Sequence, residues 1–156
     1  MSEVIKRPRN YSKISISQDE AEKFLDSQVW LRVATEDGSK ELWNLPTHFV
    51  RIGNDIYFDE TPDSIMLQNL TNNSQCCAVA DTGYSYDDLV GVIIQGQAKV
   101  VEDKQVIGNV AGAIVQKYKL LTGRGPVQDF SARKMVKITP NESLSAVTWN
   151  FGKGHL

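Results

Sequence analysis

Two hydroxyls three positions apart are the residues of this chain best spaced to do chemistry. Thr61 and Ser64 stand in the run Thr61-Pro62-Asp63-Ser64-Ile65-Met66-Leu67-Gln68-Asn69-Leu70, where a threonine followed by proline opens a helix expected over about residues 62–72. The first turn of a helix leaves N–H groups without partners, and hydroxyls beside them suit a phosphate group. The same two side chains also serve as plain helix caps, so the residues alone leave both readings open. His48 is the only histidine inside the folded pattern; it either faces a ligand or is hydrogen-bonded within its strand. Arg32 sits among apolar residues and therefore needs an anion, either a carboxylate of the chain or a bound group. No Ser-His-Asp order, His-Glu metal motif or phosphate-cradling glycine loop occurs, and Gly123-Arg124-Gly125-Pro126 fits none of these. Cys76 and Cys77 are adjacent, so on a strand they point to opposite faces. They offer neither a disulfide framework nor a zinc-ligand spacing, and burial as small apolar side chains is the expectation.

Composition narrows the partners. A chain of 156 residues fits one domain with a core large enough to stand without disulfides or metals. With 17 basic against 19 acidic residues there is no excess charge to draw a polyanion, so nucleic acid is not an expected partner. The basic cluster Lys6, Arg7, Arg9 and Lys13 belongs to a polar N-terminal arm and reads as solvated. No apolar run approaches the ~20 residues of a membrane span and no signal-peptide core is present. A cytoplasmic protein without a membrane partner is expected.

The elements that must position these residues follow from periodicity. After an arm over residues 1–16, Ser17 and Glu20 form a capping box for a helix that buries Ala21, Phe24 and Leu25 and stops near Ser27. Val29, Leu31 and Val33 then alternate with Trp30, Arg32 and Ala34, the period of a strand. Asp37-Gly38 suits a hairpin turn, and a second strand runs from Leu42 through Ile52. Pro46 inside it cannot donate to a ladder, which demands an edge or a bulge. Ile56-Tyr57-Phe58, Cys77 to Val79, Val90–Val101, Lys134–Ile138 and Leu144–Phe151 read as further strands. A helix over Lys104–Lys119 has Gly108 and Gly112 one turn apart, a spacing that permits close packing. Residues 120–132 read as a loop and 153–156 as a tail, leaving 17–152 as the single domain. Six or seven strands joined mostly by hairpins predict a mainly β, α+β fold: a small antiparallel barrel with peripheral helices.

Three stretches carry a resemblance. They are Arg32-Val33-Ala34-Thr35 with Pro46 and Phe49-Val50; Ile56-Tyr57-Phe58 leading to Thr61, Ser64, Asn69 and Leu70; and Val92-Ile93-Ile94-Gln95-Gly96-Gln97-Ala98 with Ile138-Thr139-Pro140 and Trp149-Asn150-Phe151-Gly152. Their order resembles the FMN-binding split-barrel family related to pyridoxamine 5'-phosphate oxidase, including its deazaflavin-binding branch, over about residues 19–152. The resemblance implies a split barrel and a homodimer with each flavin across the subunit interface. The ring would rest on backbone from Asn44, Pro46, Thr47 and His48, with its phosphate near Thr61 and Ser64 and Trp149 at the cofactor's edge. Trp43, Phe49 or Trp149 is expected to contribute to the dimer contact. In relatives a lysine at the position of Met66, often with arginines near Ile65 and Gln68, meets the phosphate; here all three are uncharged and Asp63 adds a negative charge. Flavin chemistry needs no catalytic constellation from the protein, because the cofactor carries the hydride or electrons. The implied activity is that of an FMN-dependent oxidoreductase acting on a small molecule. The alternative is a non-catalytic or weak binder of flavin, deazaflavin (F420) or haem that has lost its basic phosphate clamp.

Overall fold

Leu31, Val33 and Thr35 turn inward from the first strand, β1 (Trp30–Glu36), while Trp30 and Arg32 turn outward, as the alternation of the sequence requires. The computed structural model describes residues 12–154; Lys6, Arg7, Arg9 and His155, with most of the expected arm, lie outside the described residues. β2 (Leu42–His48), β3 (Val50–Ile52), β4 (Asp55–Glu60), β5 (Gln75–Thr82), β6 (Val90–Val100), β7 (Lys134–Pro140) and β8 (Val147–Asn150) complete one antiparallel sheet. Its order is β2-β1-β5-β6-β7-β4-β3, with β8 added beside β6.

The ends of that order, β2 and β3, are consecutive in the chain and separated only by Phe49. A run expected to be one strand is therefore two. Its first part pairs with β1 (Trp30 opposite His48, Arg32 opposite Pro46) and its second with β4 (Val50 opposite Tyr57). The change of partner curls the sheet into a split barrel and raises the expected six or seven strands to eight. Among the described residues β1 is the only strand that pairs with β2, which gives Pro46 an edge position, one of the two it allows.

The helices close the open parts of the barrel. α1 (Gln18–Ser27) carries the expected capping box: the Glu20 N–H donates to Ser17 Oγ at 3.2 Å and the Ser17 N–H to Glu20 Oε2 at 2.8 Å. The Ser17 N–H and then the Lys153 ammonium pull the Glu20 carboxyl down to about 2. α2 (Ile65–Asn72) starts later than expected. Ser64, not Thr61, is its cap, with the Leu67 N–H donating to Ser64 Oγ at 3.0 Å. α3 (Lys104–Thr122) is capped by Asp103 and ends at Gly123, whose φ of 73° is the left-handed conformation glycine adopts at least cost. Gly108 and Gly112 do not mediate close packing: a Cβ at either would meet nothing within 4 Å.

Two apolar clusters result. The larger, containing Leu25, Leu31, Phe49, Phe58, Met66, Val92 and Ile138, fills the barrel. The smaller packs Val110 and Ile114 of α3 onto Val50, Tyr57 and Met135. Phe49 is 1% exposed, so it belongs to the core and not to the expected dimer contact. Residues 12–16, read as part of a loose arm, are instead tied to β8. Ile14 is wholly buried, its carbonyl accepts from the Asn150 N–H at 2.7 Å, and the Ile16 N–H donates to Thr148 Oγ1 at 3.0 Å.

Trp149 stands opposite Gly91 in the β6–β8 ladder, and its indole occupies the space a Cβ at Gly91 would need. Gly91→Ala is expected to cost about 1–3 kcal/mol by overpacking. In the Trp149→Ala background the same change should cost far less, a difference that denaturant unfolding of the four proteins reads directly.

Candidate functional site

The structure separates the sequence-predicted site residues into three groups. Asn44 and Pro46 are exposed on the edge strand β2, and Arg32 lies opposite Pro46 on β1. Arg32 has a carboxylate partner: its Nη1 is 2.9 Å from Asp81 Oδ1, and both side chains are about half exposed (48% each). Of the two sequence readings for Arg32, this is the salt bridge within the chain. Trp149 lies on the same outer face, over Gly91.

The second group is the turn before α2. Thr61 and Ser64 are half-buried, and the Ser64 N–H donates to the Thr61 carbonyl at 3.1 Å. Internal groups already meet several donors of this turn. The Thr61 N–H donates to Glu60 Oε1 at 3.1 Å, and Gln68 Nε2 reaches the Asp63 carbonyl at 3.3 Å. Met66 is 0% exposed and sits in the barrel core. It does not face the turn's outer surface, so a lysine at this position would carry its ammonium into apolar surroundings. Gln68 is exposed and Ile65 half-buried. A long basic side chain at position 68 would therefore reach solvent, and one at position 66 would not.

Buried polar residues form the third group. Thr47 is buried and its hydroxyl donates to the His48 carbonyl at 3.1 Å. His48 is buried (4% exposed) with its Nε2 hydrogen-bonded to Oδ1 of Asp59, itself 1% exposed. The other oxygen of Asp59 receives Arg133 Nε, and Arg133 Nη2 donates to the Asp59 carbonyl at 3.2 Å while lying 3.8 Å from Glu60 Oε1. The Gln128 amide is 3.1 Å from His48 Nε2, and Phe130 stacks on the ring at 6.3 Å between centroids. Burial pushes the Asp59 carboxyl up, but the His48 hydrogen bond and charge, with those of Arg133, outweigh it and hold the group below its ordinary value. The His48 side chain is thus hydrogen-bonded within the protein.

Sequence reasoning missed Asp59, Gln128, Arg133 and Lys117. A carboxylate directly after Ile56-Tyr57-Phe58 could have signalled a buried charge in need of a cation. Gln128 and Arg133, from the connection between α3 and β7, gave no such signal. Lys117 of α3 spans two elements: its Nζ donates to the Leu25 carbonyl at 3.0 Å and lies 3.7 Å over the Phe49 ring. It caps the C-terminal end of α1, which has no basic residue in its last turn, and burial pushes its ammonium down to about 8.

With this geometry in hand, comparison with known proteins is direct. The family model described as pyridoxamine 5'-phosphate oxidase matches residues 17–145, and the chain belongs to that pyridoxamine 5'-phosphate oxidase-like family. Comparison with curated proteins returns no match. Among solved structures, a conserved hypothetical protein of Mycobacterium tuberculosis is similar at a TM-score of 0.77 and 21% identity, covering 97% of this chain and 96% of the other. The haem storage protein of Vibrio cholerae is similar at 0.67 and 15% identity, covering 86% and 96%. An FAD-binding protein of Mycobacterium smegmatis is similar at 0.63 and 18% identity, covering 82% and 92%. At these identities the likeness is one of fold: the split barrel of FMN-binding proteins. No helix among the described residues is long and apolar enough to cross a membrane.

Two outcomes are expected. Met66→Lys should destabilise the fold by on the order of 3 kcal/mol through an unpaired buried charge, whereas Gln68→Lys should leave stability within about 0.5 kcal/mol. For Asp59 the carboxyl titrates lower in the folded chain than unfolded. Its contribution is therefore present above about pH 4 and lost as pH falls through the lower folded value. Asp59→Asn should lower stability at pH 7 and flatten the loss between pH 5 and pH 3, as urea unfolding across that range would show; equal acid losses in both proteins would contradict this.

Proposed function

We propose that this chain is a cytoplasmic, homodimeric flavoprotein of the family, binding FMN and transferring hydride or electrons to or from a small molecule. The observation that carries the reading is the family match over residues 17–145, which takes in all of β2 and the Thr61–Ser64 turn. The likeness in fold to an FAD-binding protein supports it. The residues fit the ring half of a flavin. Among the described residues β2 has one strand partner, so the backbone groups of Asn44 to His48 that point away from β1 would be offered to the ring's polar edge. Thr61 and Ser64 would offer hydroxyls to the phosphate. A bound flavin supplies the hydride or electron transfer; the chain's residues would hold it and exclude water.

Charge at the turn favours a second reading, a binder of flavin, deazaflavin or haem without tight phosphate recognition. Met66 is buried, Gln68 is bonded to the Asp63 carbonyl, and Arg133 is engaged by Asp59 and Glu60. The shared fold of the haem storage protein of Vibrio cholerae supports this alternative. For the dimer, the support is exposed apolar surface around β1 and β2: Trp30 at 51%, Leu42 at 78% and Trp43 at 38%.

Titration of the purified protein with FMN and with riboflavin, followed by visible absorption and flavin fluorescence, tests the reading. Both flavins should bind, with FMN favoured by less than about tenfold because uncharged Ile65, Met66 and Gln68 stand where a phosphate clamp would carry basic residues. Gln68→Lys should improve FMN about threefold to tenfold and leave riboflavin unchanged. Absence of binding by either flavin, with haem binding in its place, would transfer the conclusion to the second reading. Light scattering should give twice the chain mass at micromolar concentration; a monomer would remove any site shared between subunits.

A further inference from the structure

β5 stops short of the end of β6. Gln75 stands opposite Gln97, the Ser74 carbonyl still accepts from the Ala98 N–H at 2.8 Å, and pairing on that side ends there. On the other side the Val101 N–H donates to the Met135 carbonyl at 2.8 Å. N–H groups alternate along an antiparallel strand, so that of Val100 points toward the edge that β5 leaves open. It has no strand partner among the described residues.

A hollow of about 230 Å³ lies inside this edge. Leu67, Leu70 and Thr71 of α2 wall it on one side, and Ala98, Val100 and Val136 on the other. Leu67, Leu70, Ala98 and Val136 belong to the barrel core, and the Thr71 hydroxyl is turned to its own helix, donating to the Leu67 carbonyl at 2.8 Å. The cation Lys99 completes the lining. It also lines an adjoining hollow of about 220 Å³ with Lys137, Glu102 and Asp103, so the two hollows meet around the open edge. Lys99 and Lys137 stand directly opposite each other in the β6–β7 ladder, a like-charge pair that repels. Neither is in an ion pair among the described residues. Of the two carboxylates, Asp103 accepts from the Gln105 and Val106 N–H groups as the cap of α3, and Glu102 is exposed.

We propose that this site binds a medium-chain carboxylate. Its apolar chain lies against Leu67, Leu70 and Val136, and its carboxylate accepts from the Val100 N–H and the Lys99 ammonium. Lys137 adds attraction from across the ladder. An amine of the same length meets two like charges and offers the Val100 N–H no acceptor, so the same geometry disfavours it. A small hydrophilic anion gains nothing from the apolar walls. The inference is independent of flavin binding and of the proposed subunit contact, none of whose residues lines either hollow.

Calorimetric titration of the full chain at low salt with sodium octanoate, 1-octanol, octylamine and sodium acetate tests it. Octanoate should bind about threefold to tenfold more tightly than 1-octanol, and octylamine and acetate should each bind more weakly than octanol. Lys99→Gln should bring octanoate to the octanol level and leave octanol unchanged. Glu102→Gln should strengthen octanoate about twofold. Thr71→Phe places a ring at the mouth of the hollow and should remove binding of both octanoate and octanol. All three positions are exposed, so melting curves of the variants should remain close to that of the native chain. Equal affinity for octanoate and octanol, unchanged octanoate binding in Lys99→Gln, or octanol binding untouched by Thr71→Phe would each overturn the proposal.

Discussion

The architecture depends on one change of partner. A single run of chain serves both ends of the sheet, leaving β1 and joining β4 at Phe49. Where β2 passes beside β4 no backbone ladder joins them among the described residues, so side chains hold the seam. His48, the last residue of β2, and Asp59, near the end of β4, do so through a buried hydrogen bond, and His48 together with Arg133 holds the carboxyl below its ordinary value. A buried carboxylate left without these partners is costly, which makes the seam specific as well as closed. Gln128 and Phe130 on the same ring tie the connection after α3 to this point. The exposed edge of β2 is thereby fixed relative to the turn that opens α2, two features far apart in sequence that a ligand would have to meet together.

Much of this was legible in the sequence, for identifiable reasons. The capping box of Ser17 and Glu20 is a local pattern and appears as read. Pro46 alone demands an edge or a bulge, because a missing N–H is a constraint no tertiary contact removes, and β2 takes the edge. What escaped was non-local. Nothing in residues 42–52 states that two halves of a strand pair with different neighbours. The start of α2 was placed at Thr61 because Thr-Pro is a good local opening, yet the Ser64 hydroxyl takes the capping bond. The spacing of Gly108 and Gly112 suggested packing, while their side of α3 is open.

The candidate site was legible by resemblance more than by chemistry. Family membership now stands on a match over residues 17–145, and the fold agrees. Burial changes the meaning of individual positions. Met66, taken from the family pattern as the residue beside a phosphate, is a core residue here, and Arg32 is occupied by Asp81. The turn satisfies much of its own backbone with Glu60 and Ser64. A ligand at β2 would therefore be held chiefly by its flat, uncharged part, through backbone groups and apolar contact rather than ion pairing.

That claim can be read residue by residue from amide hydrogen exchange with and without saturating FMN. The account predicts slowed exchange at the Asn44 and His48 amides, which alternate with Pro46 on the outward side of the edge strand, only a weak effect at Ile65 and Met66, and none in α3. Unchanged exchange along β2 at saturation, or protection confined to the start of α2, would contradict it.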